Sequence, residues 1–135
     1  MNYSTIIYGY LSSIPAISNI VSAKIYPVTV AQEKIFPTIA FTKRIEPTNT
    51  KGQKNCIEDC IVNIYCISDD LDQADTLAQL IRSELDRKSQ FEQNTIKISS
   101  VTFVGQDFEQ YDAELDVFLI PVTYKIRIRY ENPNT

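Results

Sequence analysis

Histidine is absent from the 135 residues, which excludes the Ser-His-Asp triad, the Cys-His dyad and every histidine-bearing metal site. Glycine is scarce. Gly9, Gly52 and Gly105 are the only three, and none begins a G-x-G-x-x-G or P-loop pattern, so phosphate-cradling loops of those kinds are excluded too. The three cysteines, Cys56, Cys60 and Cys66, form an odd set without a C-x-x-C pair. A disulfide framework needs an even number and a structural zinc needs closer spacing, so reduced thiols are expected. No apolar run is long enough to cross a bilayer. Residues 1–5 put no positive charge ahead of an apolar block, so no signal peptide is expected and the cytoplasm of the producing cell is the default location. Positive charge is also short: 13 Lys and Arg stand against 17 Asp and Glu, giving a net charge of -4. A general duplex-DNA binder would show a basic footprint instead. An enzyme would have to work with carboxylates, lysine or cysteine alone; no catalytic residue, cofactor or metal ligand is assigned.

What is present suits one globular domain spanning residues 1–135, with 44% hydrophobic and 22% charged residues. Tyr3, Ile7, Tyr10 or Leu11 and Ile14 recur at helical spacing, and Pro15 stops that helix. Ile17, Ile20 and Val21 add one further helical turn. Residues 24–27 form a short extended piece, and residues 28–36 a connector of mixed signals. Residues 37–45 alternate as a strand: Ile39, Phe41 and Ile45 share one parity, with Lys43 an exception on the apolar face. Residues 56–67 are apolar on both parities, which suits a central strand. Cys60 and Cys66 fall there beside Val62 and Ile64, as small buried residues.

Ser68, Asp69 and Asp70 supply capping oxygens for a helix to about residue 87. Its stripe of Leu71, Ala74, Ala78, Ile81 and Leu85, with Leu77 beside it, is the clearest element in the chain. Residues 96–108 read as a strand whose parity shifts around Ser99 and Ser100, the sign of a bulge. The longest strand, residues 117–130, sends Ile120, Val122, Tyr124, Ile126 and Ile128 one way and Lys125, Arg127 and Arg129 the other. Pro121 inside it cannot donate to a ladder, which implies a sheet edge or a bulge there. Strand pairs separated by a helix predict an α+β fold: a mostly antiparallel β-sheet with two main helices packed on one face.

Three polar segments are candidates for contact with a partner. Residues 46–55 are too long for a tight turn and offer Thr48, Asn49, Lys51, Gln53 and Lys54 without an apolar anchor, so a flexible interaction loop is expected. Residues 105–116 carry Asp107, Glu109, Asp112, Glu114 and Asp116 with no base among them. A solvated acidic turn is the plainer reading; the interleaved Phe108 and Tyr111 do not suit a calcium loop. Lys125, Arg127 and Arg129 read equally well as a solvent face or as a contact for a neighbour's acids.

The order of these pieces resembles the tail-terminator, or tail-completion, proteins of siphophages, ring-forming minor tail proteins. The resemblance rests on Ile25-Tyr26-Pro27 followed by Pro37-Thr38-Ile39, then the polar loop, the strand Ile61-Val62-Asn63-Ile64-Tyr65-Cys66 and the Ala74 to Leu85 helix. It covers nearly the whole chain, though Ser22-Ala23-Lys24 stands where a glycine-bearing turn is common. The resemblance implies an α+β fold and a homo-oligomer, a hexameric ring in the neck region of the virion tail, assembled in the host cytoplasm. Its partners would be the tail-tube protein and a head-completion or connector protein; DNA would pass through without specific binding, and no membrane would be involved. A head–tail connector or tail-tube subunit is the nearest alternative. An acidic protein-binding or inhibitor module, monomeric and acting through residues 107–116, is the alternative of another class.

Overall fold

The computed structural model describes residues 2–22, 24–27, 36–47, 55–86, 91–93 and 96–131. In chain order these form α1 (Tyr3–Ser12), α2 (Pro15–Val21), β1 (Ile25–Pro27), β2 (Thr38–Pro47), β3 (Asn55–Ser68), α3 (Leu71–Asp86), β4 (Phe91–Gln93), β5 (Ile96–Gln106), β6 (Gln110–Asp112) and β7 (Val117–Glu131). The strands make one sheet in the order β1-β2-β3-β7-β5-β4, with β6 paired to β7. Among the described strands β1 and β2 run parallel and the other pairs are antiparallel.

The alternating parities put the apolar side chains of the sheet on one face. Ile39 and Phe41 of β2, Cys60, Val62, Ile64 and Cys66 of β3, Val101 of β5, and Ile120, Val122, Tyr124, Ile126 and Ile128 of β7 join the buried sides of the helices in a single core. Burying a side chain of Leu or Ile size stabilises by roughly 1.5–3 kcal/mol. In α3, Ala74, Leu77, Ala78, Ile81 and Leu85 are the buried residues, as their spacing predicts. Its start is held by Asp70, whose carboxylate accepts the Asp72 N–H at 3.0 Å. Ser68 Oγ in turn accepts the Asp70 N–H at 3.1 Å. Asn2 caps α1 in the same way through the Thr5 N–H, and Pro15 occupies the first turn of α2, where a missing N–H costs nothing.

Lys43, the exception on the apolar face, is explained by α1: its ammonium donates to Ser4 Oγ at 2.8 Å. At the other end of the core the Tyr124 hydroxyl donates to Asp86 at 3.0 Å, while Phe103 stacks edge-on against its ring at 5.5 Å. The Arg82 guanidinium lies 3.8 Å from the Phe103 ring centre, tying α3 to β5. The three cysteines are buried and form no disulfide with one another. Burial pushes the Cys60 thiol up to about 11, and raises Cys66 as well, so both stay protonated and inert.

Several boundaries differ from the sequence reading. β4 has too short a pattern to be seen, and β5 ends at Gln106. The acidic segment is not merely a turn, because Gln110–Asp112 pairs back on Leu119 to Val117 as β6. The bulge expected near Ser99 is present, where the register steps from Ile98↔Ile128 to Ser100↔Arg127; a second, unforeseen shift lies between Phe103 and Gly105. Pro121 sits in an interior strand. The Pro121 carbonyl accepts the Asp107 N–H at 3.0 Å, on the side of β7 away from β3. Backbone N and O of one strand residue point the same way, so the missing N–H faces the gap where β7 changes partner from β5 to β6. Proline is accommodated because the ladder is already broken there.

Ile81 is fully buried at the centre of the α3 stripe. Ile81→Ala is expected to cost roughly 2–5 kcal/mol, read from the urea midpoint. A loss below about 1 kcal/mol would mean that the helix packs on the sheet through another face.

Candidate interaction surfaces

The sheet face opposite the helices carries the polar parity of β2, β3, β5 and β7. Its apolar part is a small cluster of Ala40, Ile67 and Val117 with Phe36, Tyr65 and Leu119 packed against it. Further along, the Thr123 hydroxyl meets Asn63 Oδ1 at 2.6 Å. Beyond them lies Asp59, a carboxylate only 6% exposed in the middle of β3. Arg127 stands directly opposite it in register and clamps it with two hydrogen bonds, 2.9 Å from Nε and 3.2 Å from Nη2. Lys125 Nζ adds a contact at 3.5 Å. Ser100 and Thr102 of β5 complete a shallow groove around the three charges. The Arg127 hydrogen bonds hold the Asp59 carboxyl below the usual carboxylate range, against the opposing effect of its burial.

The basic stripe is therefore divided. Lys125 and Arg127 are engaged within the chain by Asp59, which the sequence reading passed over. An acid on the same face of β3 as Ile57 and Ile61, with three bases on one parity of a later strand, was the available signal. Arg129 is different. It lies opposite Lys97 of β5, both are exposed, and neither has an ion pair among the described residues. Two like charges directly across a ladder are unfavourable.

Thr48, Asn49, Lys51, Gln53 and Lys54 lie outside the described residues. The strands that bracket them end with Pro47 opposite Glu58 and Asn55 opposite Glu131, beside the Lys97–Arg129 corner. Asp107, Glu109, Asp112 and Glu114 lie at the other end of β7, around β6. The two ends are about eleven residues apart along one strand, roughly 35 Å, so the acids of a chain cannot reach its own basic corner.

The acidic segment is a hairpin arm with defined internal bonds. Asp107 Oδ1 accepts the Phe108 N–H at 2.8 Å. Asp112 Oδ1 accepts the N–H groups of Glu114 and Leu115 at 3.0 and 3.2 Å. The Tyr111 hydroxyl donates to Asp116, and the Tyr111 ring lies 5.1 Å from that of Phe118. Glu109 and Glu114 have no side-chain partner among the described residues. Among those residues no group of three or more Cys, Asp and Glu side chains is arranged to hold a metal ion, and no helix is long and apolar enough to cross a membrane.

No family model matches the chain, and no curated protein matches it in sequence. The fold recurs among solved structures. One chain from a structure described as "Virion of native gene transfer agent (GTA) particle" superposes with a TM-score of 0.66 at 10% identity, the match covering 91% of this chain and 91% of that one.

The Asp59 clamp sets a pH dependence. A carboxylate with a folded pKa below its unfolded value of about 3.9 stabilises the fold above that pH, and the stabilisation is lost as the pH falls through the folded value. Asp59→Asn is expected to lower the urea midpoint at pH 7, with the gap to the wild type narrowing steadily below about pH 4. A gap of equal size at both ends of the titration would assign the loss to packing instead of charge.

Proposed function

We propose that the chain is a structural subunit of a phage-like virion, and within it a tail terminator that closes the end of the tail tube as a hexameric ring. The observation that carries this reading is the fold likeness, over nine-tenths of both chains, to a chain of a virion particle. The order of elements that resembles tail-completion proteins supports the finer assignment.

The mechanism is surface complementarity. A subunit with opposite charges at the two ends of its longest strand has the makings of a head-to-tail contact. Repeated contacts of that kind generate a ring where the rotation closes. One face of the ring would match the last ring of tube subunits and stop polymerisation; the other would receive the head connector. Acidic residues facing the pore would let DNA pass, since phosphate contacts to basic groups are what hold DNA. Glu46, Pro47 and Asn55 belong to β2 and β3, and residues 48–54 between them would add contacts with a partner, because their hydrogen-bonding side chains lack an apolar anchor and ordering them needs external contacts. A head–tail connector is the second reading that the same likeness supports.

Tails assembled without this protein are expected to be abnormally long or unable to join heads in negative-stain images. Normal tails would overturn the assignment, and unlimited filaments of the purified chain would make it a tube subunit. Replacing residues 48–53 with a short Gly-Ser linker should leave the melting temperature almost unchanged while tail capping is lost. Normal capping by that variant would make the loop a passive connector.

A further inference from the structure

Large apolar side chains are rarely left in water on a domain that has a core for them. Here Phe108 is 85% exposed, Val104 57% and Tyr111 54%, and Leu115 is exposed beside them. These four lie within twelve residues of one another, on the arm formed by the end of β5, β6 and the turn that follows. Exposed apolar side chains grouped on one short segment and flanked by acids suit a docking surface. The arm is also preformed. Its backbone is anchored by the Asp107 N–H on Pro121, its turn by Asp112 and its aromatic ring by Asp116 and Phe118. A surface already ordered loses little entropy on binding.

The carboxylates of the arm divide by duty. Asp107, Asp112 and Asp116 bond within the arm, whereas Glu109 and Glu114 project without a partner among the described residues. The complement to two unpaired acids beside an aromatic is a pair of unpaired bases, and this chain presents one. Lys97 and Arg129 face each other across β5 and β7; Glu92 of β4 stands opposite Lys97 on its other side but forms no ion pair with it, so an approaching carboxylate would still relieve the like-charge contact. Lys125 and Arg127 are less available, being already ion-paired with Asp59. Arm and corner sit at opposite ends of β7, so each must find its complement on another molecule.

We infer that the arm of one copy, led by Phe108 with Glu109 and Glu114, docks on the Lys97–Arg129 corner of the next copy. The contact joins two different surfaces, so it is heterologous, and each added copy leaves one arm and one corner free for the next. This inference deepens the ring reading and rests on it.

Charge reversal tests the contact without touching the core. Glu109→Lys/Glu114→Lys reverses the arm, and Lys97→Glu/Arg129→Glu reverses the corner; Asp107, Asp112 and Asp116 are kept so that the arm retains its shape. Sedimentation over a concentration series is expected to show self-association of the wild type that either double variant weakens by roughly tenfold or more, with melting temperatures nearly unchanged. Phe108→Ser should weaken it likewise. Mixing the two double variants should restore assembly, because the basic arm meets the acidic corner and the acidic arm meets the basic one. Wild-type-like assembly of either double variant alone, a mixture that stays monomeric, or a wild-type chain monomeric at every concentration would overturn the inference. Association that stops at twice the monomer mass even at the highest concentrations would overturn the head-to-tail arrangement. The virion reading is judged separately, by tail length and head joining: rings that form through other surfaces would leave it standing, and copies that associate through arm and corner while tails are normal without them would sink it alone.

Discussion

Strand β7 holds the domain together because it is paired on both sides at once. Along one side it matches β3 from Asn55 opposite Glu131 to Ser68 opposite Phe118. Along the other it serves β5 and then β6. Its inward parity supplies Ile120, Val122, Tyr124, Ile126 and Ile128 to the core, and its outward parity supplies Lys125, Arg127 and Arg129 to the surface. Every other element takes its place from this strand. α3 lies over β3, β5 and β7, with Tyr124 bonded to its last residue, Asp86. α1 and α2 extend the same core over β1 and β2. A one-residue slip of β7 would exchange isoleucines for arginines in the core, so register here is fixed by the cost of burying charge.

Much of the architecture was legible because hydrophobic periodicity reports which side of an element is buried. The α3 stripe and the alternation in β7 are long enough to leave one solution each. β3 read as central because both parities are apolar, and it does lie between β2 and β7. What escaped was decided by pairing over long sequence separation. β4 is three residues long and exists because β5 is beside it. The place of Pro121 could not be read from its own strand. An interior proline is tolerated only where the neighbour on its N–H side has ended, and that depends on residues 106–110. Lys43 looked like a flaw in the β2 pattern until Ser4, thirty-nine residues away, proved to receive its ammonium.

The candidate surfaces were legible only as composition. Sequence spacing puts Lys125, Arg127 and Arg129 on one parity and leaves them equivalent. The fold makes them unequal, since Arg127 lands opposite Asp59 and Arg129 opposite Lys97. The first pairing is nearly closed to solvent on the acid side and stabilises the sheet above the acid range. The second leaves two cations exposed and opposed. No property of the strand alone distinguishes the two residues, because the difference lies in what β3 and β5 present across from them.

The same division runs through the acids and gives the surface its polarity. Asp59 is satisfied by two bases, Asp70 by a helix start, Asp86 by a tyrosine, and Asp107, Asp112 and Asp116 by bonds within the arm. Aspartate is short enough to bond to nearby backbone and so fixes local structure. Glutamate carries its charge one methylene further out, and Glu109 and Glu114 are the acids of the arm left without a side-chain partner among the described residues. The net charge of -4 thus understates how the molecule is organised. Within one strand's length it has an apolar, acidic arm at one end and, at the other, a Lys97–Arg129 corner without an ion pair among the described residues. A monomer gains nothing from that separation, since its own charges are too far apart to meet and are screened over about 10 Å at moderate salt. In the head-to-tail contact proposed above, the arm and the corner would meet on neighbouring copies.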